Sequence, residues 1–278
     1  MQMTKSNDFV NNPIAGDACA RGGASPRRES LKESAGRSEH EQQFYLRTLC
    51  EVFRPVICWL DAGCGRTLIQ KWIRDADQIE LKFIRDARMV VGVDIDAPSL
   101  SESPIPRIAC DLSSLAFRSE SFDLITCNMV VEHLAEPHRV FSEFFRLLRP
   151  GGKAVILTPN LYHLANIVSR LSPFWFHKWV LEKLSERADE DIFPTLYRCN
   201  TERSLRNSLQ KAGFAKPTVH LVPGRQRLLN FGLLFYLEYA FYQLSLRFGQ
   251  LREILCVIAQ KPGLGDAAVS LSARQGEQ

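Results

Sequence analysis

Between residues 42 and 262, short runs of β-branched residues alternate with stretches of helical spacing, and this alternation constrains the fold most. The predicted strands are Val56–Asp61, Met89–Ile95, Arg107–Asp111, Phe122–Asn128, Lys153–Thr158, Thr218–Val222 and Ile254–Gln260. The plainest helix is Pro137–Leu148: Val140, Phe141, Phe144, Phe145 and Leu148 recur at i, i+3/i+4, and Arg149-Pro150-Gly151-Gly152 ends the pattern. Strands that alternate with helices predict a parallel sheet covered on both faces. Ligands of such sheets sit at the carboxyl ends of the strands, near the reversal of strand order. Functional residues are therefore expected just after the first four strands.

Composition narrows the function class. A net charge of +4 over 278 residues is too small for the basic stripe of a nucleic-acid binder. The eight cysteines include no Cys-x-x-Cys pair and no zinc-spaced Cys/His cluster, so a reduced, cytoplasmic setting is expected. Residues 1–41 hold six basic and six acidic residues, with Phe9 as the sole aromatic, and read as a polar disordered tail, not a secretory leader. Residues 263–278 read the same way.

The first strand ends Asp61-Ala62-Gly63-Cys64-Gly65, where glycines let the backbone turn sharply and come close to a ligand. A tight turn alone would explain that pair as well. The second ends Val91-Gly92-Val93-Asp94, which places a carboxylate where a ribose could donate its hydroxyl protons; a helix cap is the plainer use. The third ends Cys110-Asp111-Leu112, followed by Leu115-Ala116-Phe117. The fourth runs Ser121-Phe122-Asp123-Leu124-Ile125-Thr126-Cys127-Asn128, then Val131-Glu132-His133-Leu134.

Taken in order, these segments resemble the motifs of class I S-adenosylmethionine-dependent methyltransferases. Asp61 to Gly65 is similar to the family's Asp-x-Gly-x-Gly, Gly92-x-Asp94 to its second motif, and Asp111 with Leu115-x-Phe117 to its third. Ser121 to Leu124 and Leu147 to Gly152 complete the series, so the resemblance covers roughly Val56 to Asn160. It is nearest to the small-molecule branch that includes the ubiquinone-biosynthesis O-methyltransferases. The resemblance implies a Rossmann-like seven-stranded α/β sheet, mostly parallel with an antiparallel last strand. It also implies S-adenosylmethionine as cofactor. Asp61, Gly63 and Gly65 would cradle the methionine part, Asp94 the ribose and Asp111 the adenine amino group. Leu112 would pack beside that ring, and Asn128 would mark the methionine end. The family often has a third glycine where Thr67 stands, so the Arg66-Thr67 pair is a departure. Asp94 lies 33 residues beyond Asp61, whereas a dinucleotide fold places its acid about 20 beyond the glycines.

The expected acceptor is small or lipid-linked, and the expected transfer is to oxygen, with transfer to carbon or nitrogen, or a non-catalytic binding protein, as alternatives. An oxygen acceptor usually needs a base, and His133 is the candidate, set against a structural role. Glu132 could pair with it, but no third ligand is evident, so no metal is assigned. Asn128-Met129-Val130-Val131 lacks the Pro-Pro-aromatic run of amino-methylating nucleic-acid enzymes.

Two insertions remain. Leu161–Asn200 carries Tyr162, Phe174, Trp175, Phe176, Trp179, Phe193 and Tyr197 and is expected to form either a substrate lid or a helical pair completing the core. Leu228–Phe248, within 225–252, is almost wholly apolar, with Glu238 its only acid and Arg225, Arg227, Arg247 and Arg252 around it. That pattern suits peripheral contact with the inner face of a membrane, a homodimer face or a core-packed helix.

Overall fold

The computed structural model describes residues 41–96, 104–163, 194–224, 233–263 and 265. Most of the two tails, the body of the 161–200 insertion and residues 225–232 of the apolar run lie outside the described residues. Helix α1 spans Glu41–Val52 and is followed by β1 (Cys58–Ala62), α2 (Ala76–Asp86), β2 (Met89–Asp94) and β3 (Arg107–Ala109). Then come β4 (Phe122–Asn128), a 3-10 turn (Val131–His133), α3 (Pro137–Leu147) and β5 (Leu148–Pro159). After the insertion the chain continues through α4 (Glu202–Lys211), β6 (Ala215–Val222), α5 (Leu233–Arg247), a 3-10 turn (Gly249–Leu251) and β7 (Ile254–Gln260).

The strands form one seven-stranded sheet in the order β3-β2-β1-β4-β5-β7-β6. β1 pairs in parallel with β2 and β4, while β7 runs antiparallel to both β5 and β6. All the predicted strands exist. The order reverses between β1 and β4, so the groove that a doubly wound sheet offers a ligand opens beyond Ala62 and Asn128.

Central β1 is buried at every position, as expected of a strand covered on both faces. One core layer places Leu60, Ile125 and Ile156 of the sheet against Val140, Phe141, Phe144 and Leu147 of α3. The other places Trp59, Leu124 and Val155 against Tyr45 and Leu49 of α1 and Phe83 of α2. α3 starts with Pro at its first turn, where the missing N–H costs nothing. α4 starts with a reciprocal cap, in which Thr201 Oγ1 accepts from Ser204 N and Ser204 Oγ from Thr201 N.

Two boundaries differ from the sequence reading. Arg149-Pro150-Gly151-Gly152 does stop α3, but the run itself is extended and opens β5, with a register shift against β4 between Phe122 and Leu124. Backbone bonds from Gly151 N to Lys261 O and from Lys261 N to Gly152 O hold it there. Val56 lies outside β1: its φ is +65° and it is 71% exposed, so it serves a turn. Five cysteines (Cys58, Cys64, Cys127, Cys199 and Cys256) are buried as free thiols, where they pack as small hydrophobes.

Candidate cofactor site

The turn after β1 is made by two glycines in left-handed conformation, Gly63 at φ +73° and Gly65 at φ +48°. Gly63 N and Cys64 N both donate to Val93 O, at 2.7 and 3.1 Å, which ties the turn to β2. A Cβ on Gly63 would stand 2.1 Å from Val130 Cγ2, so a larger residue is excluded there by contact as well as by φ. A Cβ on Gly65 would meet nothing within 4 Å: its side of the turn is open.

Asp94, at the end of β2, faces that turn. Its Oδ2 accepts from Gly65 N at 2.8 Å and its Oδ1 from Asp96 N at 3.0 Å. An ionised carboxylate has about four acceptor sites, so capacity for ligand hydroxyls remains. Arg107 of β3 holds the same turn by its carbonyls: Nη1 donates to Gly65 O at 2.6 Å and Nη2 to Arg66 O at 2.7 Å. Nothing in the motif reading pointed to Arg107.

Asp61 is 7% exposed and accepts a 2.6 Å bond from the Thr126 hydroxyl, which in turn accepts from Trp59 Nε1 at 2.7 Å. Burial pushes the Asp61 carboxyl up to about 7, against the pull of the Thr126 bond and the Arg107 charge. Tyr45 of α1 packs into the same cluster, its phenol raised well above 10.0 by burial first and then by the Asp61 charge.

Asp61, Gly63, Gly65 and Asn128 line one cavity of about 260 Å³ with Cys64, Arg66, Thr67, Leu68 and Gln70. Asn128 is held by a second residue that the motifs did not reveal, Gln42 of α1. Gln42 Nε2 donates to Asn128 Oδ1 at 3.1 Å, and Asn128 Nδ2 donates to Gln42 Oε1 at 2.9 Å. Both partners lie 86 residues apart, beyond the reach of any local pattern. A larger hollow of about 650 Å³ lies at the amino ends of the strands, among Cys58, Met89, Arg118 and Arg149, and includes none of the predicted site residues.

The remaining predicted residues do not line this cavity. Asp111 is exposed, and its Oδ1 accepts from Ser113 N at 2.7 Å in a local turn. Leu112 is 7% exposed and belongs to the core layer beneath. His133 sits in the 3-10 turn after β4, with Nδ1 at 3.1 Å from Pro194 O. A carbonyl can only accept, so that contact places a proton on Nδ1, while Nε2 faces Glu132 Oε1 at 3.9 Å. Glu132 beside it is buried; Thr158 Oγ1 donates to its Oε2 at 2.9 Å, and Asn200 Nδ2 donates to Thr158 Oγ1 at 2.7 Å. Burial raises the Glu132 carboxyl above its usual range, with the Thr158 bond and the His133 charge opposing. The end of the insertion reaches this point: Leu196 N and Tyr197 N both donate to Glu132 O.

Residues 60–156 match the methyltransferase domain family. The chain is similar to a probable S-adenosylmethionine-dependent methyltransferase of Mycolicibacterium smegmatis, 33% identical over 106 residues. That match covers 36% of this chain and 37% of the relative's length. It is also similar to the ubiquinone/menaquinone biosynthesis C-methyltransferase of Vibrio cholerae, 24% identical over 63% of this chain and 70% of that protein. Among solved structures, an S-adenosylmethionine-dependent methyltransferase of Mesorhizobium loti shares the fold, with TM-score 0.51, 19% identity and coverage of 80% and 98%. The family's cofactor suits the residues present: the turn is open at Gly65, where a Cβ would touch nothing, and the buried Asp61 lines the same cavity. The Asp61 carboxylate, when ionised, suits a ligand that carries a sulfonium and an ammonium. With its motifs in order on this sheet and its glycine turn open at the strand ends, the chain carries a methyltransferase domain over residues 60–156 and is similar there to S-adenosylmethionine-dependent methyltransferases.

Proposed function

We propose that this chain methylates a hydroxyl oxygen of a small or lipid-linked acceptor, with His133 as general base. The observation that carries the reading is the place of the His133 ring: it sits on the turn directly after the strand that ends in Asn128, held at Nδ1 by Pro194 O and beside the buried Glu132 carboxyl. Asp61, Gly63 and Gly65 hold the methionine part of the cofactor, Asp94 its ribose, and Asp111 and Leu112 its adenine. Asn128, fixed by Gln42, positions the methionine end. S-adenosylmethionine, when bound, supplies a methyl group on a positively charged sulfur.

The protein's own work is alignment and proton transfer. Alignment of acceptor and methyl supplies much of the acceleration in an in-line displacement. His133 Nε2 would take the hydroxyl proton of the acceptor as that oxygen receives the methyl group. Glu132, buried beside the ring, steadies the imidazolium that results. The test is turnover of a panel of phenolic and lipid-linked alcohols, with products read by mass spectrometry. His133→Ala should lower turnover by roughly 10²-fold while leaving cofactor affinity in place. Unchanged turnover, or a methyl found on carbon or nitrogen, removes the reading.

We further propose that the apolar run reaches a membrane surface without crossing it. Among the described residues, no helix is long and apolar enough to span a bilayer. The described residues of α5 number 15, about 22 Å of helix against a hydrocarbon core of about 30 Å. Tyr236, Leu237, Leu244 and Leu246 on it are exposed, as is Phe248 after it, while Arg247 and Arg252 stand at its end. Apolar burial contributes about 25 cal/mol per Å², and each nearby arginine about 1 kcal/mol on an anionic leaflet. Co-sedimentation with neutral and anionic liposomes at two salt concentrations tests this. A protein that stays unbound throughout and elutes as a stable dimer overturns it.

A further inference from the structure

The departure at Arg66-Thr67 leaves the glycine turn with fewer conformationally free residues than the family usually has, and the structure supplies a brace for it. We propose that Arg107 is a positioning residue for the cofactor, holding the turn in its binding conformation from beneath. Its guanidinium donates to two successive carbonyls, Gly65 O at 2.6 Å and Arg66 O at 2.7 Å. Two donors in a rigid fork fix both direction and distance, which a lysine cannot do. The neighbouring amide, Gly65 N, is meanwhile engaged by Asp94 Oδ2 at 2.8 Å. Gly65 is thus held on both sides of its Cα, from β2 through its N–H and from β3 through its C=O.

The route taken by Arg107 depends on a second glycine. Arg107 pairs in register with Gly92 of β2, and a Cβ on Gly92 would lie 3.1 Å from Arg107 Cγ and 2.7 Å from Cys64 Sγ. The absence of a side chain at Gly92 lets the arginine stem and the Cys64 thiol pack side by side under the turn. Gly92 reads in the sequence as part of the second motif; here its smallness makes room for the brace. Arg107 also carries positive charge toward Asp61, lowering a carboxyl that burial raises. The same side chain therefore sets the shape of the turn and favours the ionised state of the acid lining the cavity.

The experiment is calorimetric binding of S-adenosylhomocysteine to the full chain and to Arg107→Met and Arg107→Lys, with KM for S-adenosylmethionine and kcat measured in parallel. Arg107→Met keeps the stem and removes the fork and the charge. It should weaken binding about tenfold or more and raise KM equally, with kcat at saturating cofactor within about threefold. Arg107→Lys should recover part of the loss and bind at least about twofold more weakly than the unaltered chain. Binding of Arg107→Met less than tenfold weakened overturns the proposal. So does an equal fall in kcat and affinity for both variants together with a lowered Tm, the signature of a purely structural residue. Should Arg107→Met fail to fold, Arg107→Lys decides by itself: affinity within twofold of the unaltered chain overturns the proposal, and a larger loss with KM and not kcat affected supports it.

Discussion

Two helices of this protein invert the ordinary relation between apolar content and burial. α3 mixes His138, Arg139, Ser142, Glu143 and Arg146 with its apolar residues, yet Val140, Phe141, Phe144 and Leu147 are buried against the sheet. α5 has Glu238 and Arg247 as its only charged residues, yet Ser245 is its only buried position from Tyr236 onward. The buried Ser245 hydroxyl turns back to donate to Tyr242 O at 2.7 Å. The difference teaches that phase, more than total hydrophobicity, places a helix. α3 concentrates its apolar residues on one stripe at i, i+3, i+4 and i+7, which a flat sheet can cover. α5 is apolar all round, and no single neighbour can cover such a surface.

The largest expected effect tests the buried side of this comparison. Phe144→Ala, at 0% exposure, should cost about 3–5 kcal/mol of stability by denaturant titration. A loss below 1 kcal/mol would mean that α3 does not carry the platform under the strand ends. Next is the chemistry on that platform, where His133→Ala should cost roughly 10² in turnover without moving cofactor affinity. Asp94→Ala should then weaken S-adenosylmethionine at least tenfold, since a charge-assisted bond is worth about 1.5–3 kcal/mol. Unchanged affinity by calorimetry would take Asp94 out of the ribose site.

Asp61 gives a pH dependence of comparable size. With its carboxyl pushed up to about 7, the group is largely protonated at pH 6 and ionised at pH 8. The ionised form attracts a cationic cofactor, so affinity should be about tenfold higher at pH 8 than at pH 6. Asp61→Asn should flatten that difference, and a profile unaltered by the substitution would refute the assignment. For folding the sign is reversed, because the folded state holds this proton more tightly than the unfolded chain. The stabilisation from Asp61 is complete below 3.8, the ordinary value, and is lost as pH rises toward about 7.

The smallest effect sharpens the exposed side. Leu237→Gln with Leu244→Gln should change stability by no more than about 0.5 kcal/mol, since both side chains are exposed. The same pair should measurably reduce liposome attachment. A large stability loss would show that α5 packs against a partner or a second copy instead.

Legibility divides along chain distance. Asp61, Gly63, Gly65 and Asn128 were readable because each sits at a strand end, where periodicity stops and a backbone turn or a polar side chain must follow. Asp111 and Leu112 were readable by motif, although the structure gives Asp111 a local turn with Ser113 and Leu112 a place in the core. Arg107, Gln42 and Thr126 were not readable, because each acts through a partner 42 to 86 residues away. An arginine at the start of a short strand looks like any solvated residue until the fold brings the Gly65 carbonyl to it.

The alternation of strands and helices, the order of the motifs, and hence which strand ends carry the candidate site residues can be read from the sequence. Those are local properties, set by side-chain period and by the φ freedom of glycine. Packing settled that Arg149 to Gly152 joins β5, that Arg107 donates to the glycine turn, that Gln42 pairs with Asn128, and that Leu237 and Leu244 of α5 are left exposed. Each of these depends on which distant backbone or side chain completes a hydrogen bond or covers an apolar face, and that is settled by packing of the whole chain.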